Sequence, residues 1–430
     1  MPSPLSERRL VFLIGAVQLI NALDFMMVMP MGPDFAKALG IPSSELGLIG
    51  GSYTAAAAVA GVIGAFFLDR FDRRRALAVA LAGLVVGTAA GGFATGLPSL
   101  LAARIIAGAF GGPATALALA IVSDAVPPER RGRAMGAVMG AFAVASVLGV
   151  PAGLELARLG GWRMPFFTVA ALGAAVAAAA VMMLPPQTAH LAAGRRAAPT
   201  PFREVLRRPV VLLSLSASAV GLIAIFALIP NLSAYFQFNR GYPRDELGLL
   251  YMVGGALSFG TMRLAGWLTD RHGSPAVAAG SSIGFIAVLI AGFAHPVTSI
   301  PVMVIFVGFM IANGFRAVPM QALSSRVPEP RERARFMSAQ SAVQHLASAA
   351  GAMIGTQLLT EQTGGALVGI EDLAWFAVGT SLVLPGLLYA VDRLVRARAT
   401  RPPTAARIRE EPAPSSSRAP RAARSRRARR

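Results

Sequence analysis

A handful of ionisable side chains sit in stretches of sequence that otherwise carry no charge. Asp24 lies in Leu23-Asp24-Phe25-Met26 and Arg104 in Arg104-Ile105-Ile106-Ala107-Gly108. Glu155 follows Gly153-Leu154, Arg316 follows Gly314-Phe315, and His345 follows Gln344, with Gln340 about a turn earlier. A charge among apolar residues must find a partner, water or a ligand. Asp24 can hold a proton. Loss of water favours its neutral acid, and a nearby guanidinium favours its carboxylate. Glu155 is a second acid of this kind, with Arg158 at i,i+3 as its nearest pairing partner. Arg316 can meet an anionic or carbonyl group, or reach to a helix end. His345 and Gln344 are polar in mid-stretch, although a lone histidine is more often a packing residue than a proton site. The chain has 4 His and no Cys, so disulfides, zinc–thiolate sites and cysteine nucleophiles are excluded, and no metal cluster is expected. No Gly-x-x-x-x-Gly-Lys-Ser/Thr loop is present, so direct ATP drive is not expected, and no cofactor is implied.

The elements that must position these groups are apolar and long. Of 430 residues, 55% are hydrophobic and 14% charged, against about 25% charged in an ordinary soluble domain. Mean hydropathy is +0.60. Uncharged runs, split at Gly96-Leu97-Pro98-Ser99 and His295-Pro296, predict an all-α membrane protein with twelve transmembrane helices. They fall at about 10–32, 45–68, 76–95, 99–123, 134–157, 163–184, 209–232, 245–269, 275–294, 299–324, 334–359 and 372–391. The first run is too long for the apolar core of a secretory signal. The connections after spans 2, 4, 6, 8 and 10 hold 16 Arg, and the alternate connections hold four basic residues. The positive-inside rule therefore puts both termini in the cytoplasm. The net charge of +19 follows from this topology and from the tail, and calls for no specific nucleic-acid partner. The division expected is 1–9 as a cytoplasmic N-terminus, 10–184 and 209–392 as six-helix bundles, 185–208 as a Pro- and Arg-rich linker, and 393–430 as a basic disordered tail able to touch anionic lipid.

Depth joins two of the charges. Asp24 sits about two turns from the outer end of span 1 and Arg104 about a turn and a half from the outer end of span 4. An Arg inside a span costs roughly 2.5–3.5 kcal/mol unless it meets water or a partner. The two make a candidate pair or a shared water site, and the competing reading is a fixed structural ion pair. Met26, Met27, Met29 and Met31 cluster in the same span and suit an adaptable apolar pocket or ordinary packing.

The two halves also repeat. Glu45-Leu46-Gly47-Leu48 returns as Glu246-Leu247-Gly248-Leu249, and Asp69-Arg70 as Asp270-Arg271, both 201 residues on. Val126-Pro127 returns as Val327-Pro328. Two six-helix halves in one orientation are the parallel-repeat design of a large transporter class, with a site between the halves near the midplane.

The loop after span 2 contains Leu68-Asp69-Arg70-Phe71-Asp72-Arg73-Arg74, and the loop after span 8 reads Gly266-Trp267-Leu268-Thr269-Asp270-Arg271-His272-Gly273. The second copy carries Gly-x-Leu-x-Asp-Arg-x-Gly, and here the chain resembles the major facilitator superfamily. The first copy departs from the pattern, with Ala65 and Asp72 in place of glycine. Aspartate tolerates left-handed backbone better than most residues, so the turn is expected to survive. Charges at such helix ends can bridge neighbouring helices in one conformation and release in another. Asp69, Arg70, Arg73, Arg74, Gly266, Asp270, Arg271 and Gly273 are the candidate gating residues. In span 5, Gly149-Val150-Pro151-Ala152-Gly153 partly matches the family's antiporter signature, with Val150 inserted between Gly149 and Pro151. With Leu23-Asp24-Phe25-Met26 to Pro30, this resembles the 12-span drug–proton antiporter branch, near the arabinose-efflux-like permeases.

The resemblance implies two six-helix pseudo-repeats of the major facilitator fold, with spans 1, 4, 7 and 10 lining a cavity. It implies a monomeric, multi-pass transporter of the inner (plasma) membrane and not an enzyme. Asp24, Arg104, Arg316, Glu155, His345 and Gln344 are the candidate proton-coupling and cavity residues. Proton-coupled efflux of a small amphiphilic or sugar-like solute by alternating access is the leading expectation. A proton-coupled importer or facilitator of the same fold, and a non-transporting membrane sensor or scaffold, are the alternatives.

Overall fold

The computed structural model describes residues 6–188, 204, 206–328 and 333–399; for a few of these, Asp69 and Arg335 among them, only the backbone is described. Among them, helices long and apolar enough to cross a membrane follow the uncharged runs closely. In the first half these are α1 (Glu7–Val28), α3 (Leu46–Phe67), α4 (Arg73–Gly92), α5 (Leu97–Ala125), α6 (Pro128–Val144) continuing into α7 (Val150–Gly160), and α8 (Met164–Met183). A short helix, α2 (Gly32–Leu39), crosses between α1 and α3. The second half holds α9 (Pro209–Leu228), α10 (Leu247–His272), α11 (Ser274–Leu289), α12 (Val302–Ser324), α13 (Arg333–Leu358) and α14 (Ile370–Ala399).

Eleven spans among the described residues meet both length and hydropathy. The expected eleventh span, α13, is a 26-residue helix that does not. Gln340, Gln344, His345 and several serines dilute its hydropathy. It packs between α3 and α9: Gly51 lies against Ala352, and Gly351 against the Ile223 carbonyl.

Local sequence sets the ends. Gly273, at φ +85, closes α10 in a backbone region that a side chain disfavours, and its N–H reaches the Thr269 carbonyl at 2.9 Å. The matching turn before α4 is built differently. Asp72 has φ −58 and is not left-handed. Its Oδ1 instead accepts the Arg74 and Gln187 N–H groups at 3.0 and 2.8 Å, capping α4. In span 5, Pro151 has no N–H to give, and Ala145–Gly149 is wound as a π turn, with the Val150 N–H reaching the Ala145 carbonyl. Helix α14 runs to Ala399, beyond the expected boundary at 392, because Leu394 and Val395 continue the helix under basic residues. Residues 400–430 and most of the 185–208 linker lie outside the described residues.

The buried side chains show where the halves join. One cluster, with Leu13, Leu81, Ile121 and Val138, belongs to the first half, at the end of the molecule where α1 begins. A second, with Val211, Leu323, Phe336 and Leu388, belongs to the second half at the same end. At the opposite, far end a single core takes Phe35, Tyr53 and Phe166 from one half and Leu228, Phe236 and Phe293 from the other.

The repeat shapes this far-end closure. A methyl on Gly47 of α3 would lie 2.5 Å from both the Ala352 carbonyl and Thr356 Oγ1 of α13. Its repeat mate, Gly248 of α10, faces the Pro151 carbonyl of α7 at 3.9 Å. Pro151 and Ala352 are themselves 201 residues apart. Further along α10, Gly255 meets the Ser146 carbonyl at 3.2 Å. Glycines nearer the terminal end, Gly61, Gly136, Gly140 and Gly260, meet nothing within 4 Å.

Candidate functional site

Asp24 and Arg104 are brought together. Arg104 Nη1 donates to Asp24 Oδ1 at 2.9 Å and Nη2 to Oδ2 at 3.1 Å, a bidentate fork. Nη2 also reaches the Asp24 carbonyl at 3.2 Å. The side chains of Asp24 and Arg104 are 0% and 1% exposed. Thr88 of α4 donates to Asp24 Oδ1 at 2.7 Å, giving the carboxylate a third bond. The Tyr53 ring of α3 lies 4.6 Å beneath the guanidinium, so its π face takes the remaining flank of the cation. The Tyr53 hydroxyl donates to Asn21 Oδ1 at 2.8 Å. Asn21 Nδ2 donates to the Gly111 carbonyl at 2.9 Å and to Thr115 Oγ1. Four helices, α1, α3, α4 and α5, thus meet in one polar hub inside an apolar bundle.

Small residues permit this approach. Gly108, Gly111 and Gly112 of α5 face Tyr53 and Ala57 so closely that a methyl on any of them would collide with backbone or with the Tyr53 hydroxyl. Gly87 of α4 has the Ala107 nitrogen 2.5 Å from where a methyl would stand. On the other flank of α1, Gly149 meets Leu23, and a Gly153 methyl would lie 3.4 Å from Met27 Cβ. Gly149, Pro151 and Gly153 therefore bring span 5 against α1 on either side of Asp24 in sequence, as their small size leads one to expect.

The hub adjoins the seam between the halves. Phe25, next to Asp24, packs 5.3 Å from Tyr53 and 6.1 Å from Phe226 of α9. Met27, Met29 and Met31 are buried in the core, and only Met26 of the cluster is half-buried.

The other predicted groups are dispersed. Glu155 forms an i,i+3 pair with Arg158 at the far end, each about half exposed, and does not join the hub. Arg316 is buried inside the second bundle, its Cζ 4.3 Å from the Phe285 ring centre. His345 and Gln344 are half-buried on α13. Gln340 joins Gln321 of α12 at 3.3 Å. At the terminal end, Arg73 bonds Asp124 and the Ala120 carbonyl of α5, and Arg74 bonds the Val181 carbonyl of α8. Arg70, Asp270 and Arg271 are exposed, and Arg271 lies 5.4 Å over Trp267. A methyl on Gly266 would meet nothing within 4 Å. The Asp69 side chain lies outside those described.

Sequence reading missed Asn21, Tyr53 and Thr88. Asn21 lies one turn from Asp24 on the same face of α1, which was the available signal. It also missed the far-end clasps. Arg244 donates from Nε to Asp34 Oδ1 at 2.9 Å and from Nη2 to Oδ2 at 2.7 Å, tying α2 to the loop before α10. The Ser43 N–H bonds Glu361 of a two-residue hairpin strand between α13 and α14. Both join one half to the other.

The sequence model of the Major Facilitator Superfamily matches residues 14–352 and 263–429. A chloramphenicol resistance protein of Streptomyces lividans is 28% identical over 284 residues, 63% of this chain and 68% of that one, so the shared stretch is about two thirds of either. The putative transporter AraJ of Escherichia coli K12 is 25% identical over 366 residues, 84% of this chain and 90% of its own. Among solved structures, a D-xylose–proton symporter superposes with a TM-score of 0.70 at 16% identity, over 88% of this chain and 96% of its own.

Proposed function

Because the chain belongs to the Major Facilitator Superfamily, and is therefore a multi-pass transporter of the inner membrane and not an enzyme, we propose that it is a proton-coupled efflux transporter. It has twelve spans, α13 being the eleventh, with both termini in the cytoplasm. Its solute is a small amphiphile, and the likeness to a chloramphenicol resistance protein supports an aromatic amide alcohol or a compound of similar size and polarity.

The observation that carries this reading is the buried Asp24–Arg104 fork beside the inter-half contact of Phe25 with Phe226. A buried pair is a poor source of stability, since desolvation offsets most of its Coulomb energy. A carboxylate there has a function if it can be discharged. Protonating Asp24 removes the charge that holds Arg104 and weakens the ties of α1 to α4 and α5. Helix α1 then shifts against α9 through Phe25. The shared far-end core and the separate terminal-end cores support reading this as the state that faces the cytoplasm. Solute enters there and reaches the half-buried Phe25, Met26 and Phe226. Opening the far end requires the Asp34–Arg244 clasp and the α3–α13 and α7–α10 seams to part. A proton taken by Asp24 from outside and released to the cytoplasm returns the carrier. Asp24 is then the proton carrier, Arg104 its counter-charge, Thr88 and Tyr53 positioning residues, and Arg73 with Asp124 a cytoplasmic-end tie.

Inverted vesicles containing the protein test this. With an acid interior reported by an acridine dye, adding chloramphenicol or a related amphiphile should dissipate part of the gradient. Vesicles lacking the protein should not respond. If no member of a panel of amphiphiles and neutral sugars produces a protein-dependent proton flux, the proposal fails.

A further inference from the structure

We propose that the second bundle contains a receptor for a single negative charge, built on Arg316. The two bundles treat a buried guanidinium in opposite ways. Arg104 is met by a carboxylate on two of its nitrogens. Arg316 is 2% exposed, and its Nε, Nη1 and Nη2 find no acceptor among the described residues. One flank rests on the Phe285 ring, which takes part of the charge but satisfies no N–H in the guanidinium plane.

No described acid of the surrounding helices pairs with it: on α10 and α14, Asp270, Glu371 and Asp372 are exposed and Asp392 pairs with Arg396. The stretches of α9, α11, α12 and α13 contain no Asp or Glu at all. The corresponding position of the first bundle, 201 residues earlier, is the neutral Thr115, which bonds Asn21. The charge of Arg316 is thus particular to this half and is uncompensated among the described residues. A buried ion left without a partner is strongly disfavoured, so its counter-charge must come from outside.

The neighbours favour an anion. Ser282 is one turn before Phe285 on α11, 2% exposed, and its Oγ has no partner among the described residues. Ser218 of α9 is 0% exposed and likewise unpartnered. It lies between Ser214, which bonds Ser324 at 3.0 Å, and Gly221, which faces Met320 Sδ at 3.2 Å. Ser218 therefore lies on the side of α9 towards α12, near the turn that follows Arg316. The guanidinium N–H groups are unpaired donors carrying one positive charge, and the two unpartnered hydroxyls lie on helices packed against α12. A monoanion neutralises that charge, whereas a dianion would leave a buried excess. A halide and the carboxylate of a transported solute share this chemistry. The site stands whether or not transport is proton-coupled.

The test is thermal unfolding of the full-length protein in detergent, in sulfate buffer at constant ionic strength, titrated with sodium bromide or sodium benzoate. The wild-type midpoint should rise saturably, by about 3–6 °C at tenfold excess over the dissociation constant. Arg316→Gln should give a flat response, and Ser282→Ala should need several-fold more anion. A response to bromide identifies a free halide. A response to benzoate alone identifies an organic carboxylate. Should Arg316→Gln fail to fold, Arg316→Lys keeps the charge but loses the fork and should raise the half-saturating concentration. No saturable response in wild type, or equal responses in wild type and the Arg316 and Ser282 variants, would overturn the proposal.

Discussion

The Asp24–Arg104 fork can be tested by a double-mutant cycle whose size follows from its geometry. Both side chains are essentially inaccessible. Arg104→Gln leaves the Asp24 carboxylate with only Thr88, and Asp24→Asn leaves the guanidinium with the introduced amide oxygen, the backbone carbonyl of residue 24 and the Tyr53 ring. Breaking a buried pair by removing one partner costs about 3–5 kcal/mol. At about 2–4 °C per kcal/mol, the figure for a unit of roughly 150–250 residues such as one six-helix bundle, each single variant should lower the unfolding midpoint by roughly 6–20 °C. The double variant buries two neutral amides of similar shape. Its loss should be smaller than the sum of the singles by roughly 2–4 kcal/mol, because neither remaining group is a stranded charge. Scanning fluorimetry of the three variants and wild type in one detergent gives the cycle. Losses that add within about 0.5 kcal/mol would mean that the two residues do not interact, and the hub would be refuted.

The chain has no cysteine, so single introduced cysteines report far-end opening without background. Arg244→Ala removes a partly buried, bidentate clasp that contributes about 1 kcal/mol. Labelling of Thr356→Cys from outside should therefore rise about fivefold, and an unchanged rate would show that the clasp does not hold the far end shut. Gly47→Val drives a side chain into the Ala352 carbonyl. Labelling at the same position should become fast, with transport lost and expression retained; unaffected transport would rule out the α3–α13 seam as a gate. Gly111→Ala places a methyl against the Tyr53 hydroxyl and 2.8 Å from Asn21 Oδ1. It should cost about 1–3 kcal/mol by overpacking, read as a lowered midpoint, and a neutral effect would contradict the close approach of α3 and α5.

Much of the architecture was legible because charge and apolarity are strongly segregated. The uncharged runs located the spans, with ends that differ by several residues at α1, α6 and α14, and the 201-residue offset paired Gly47 with Gly248, which the structure places at two matching seams. Legibility failed where a polar residue has an ordinary neighbourhood. Asn21, Tyr53 and Thr88 join the hub through side chains on three helices, and nothing local to each marks that meeting. Span 11 scored as apolar by its absence of charge, while its glutamines and serines hold its hydropathy down. Asp72 was expected to imitate a left-handed glycine and instead caps a helix, since a carboxylate has a better use at an N-terminus. Glu155 was a fair candidate from its place in an uncharged run, but the end of that run lies at an exposed surface where Arg158 is in reach. The Asp34–Arg244 clasp joins residues 210 apart, between two connections whose proximity depends on how the halves dock.

The central claim is that a proton on Asp24 drives solute movement. The most direct measurement compares two fluxes in proteoliposomes containing wild type or folded Asp24→Asn. One is solute accumulation driven by an imposed pH gradient; the other is solute-for-solute exchange without a gradient. With chloramphenicol or another transported amphiphile, Asp24→Asn should retain exchange and lose gradient-driven accumulation. Full gradient-driven accumulation in Asp24→Asn would contradict the account.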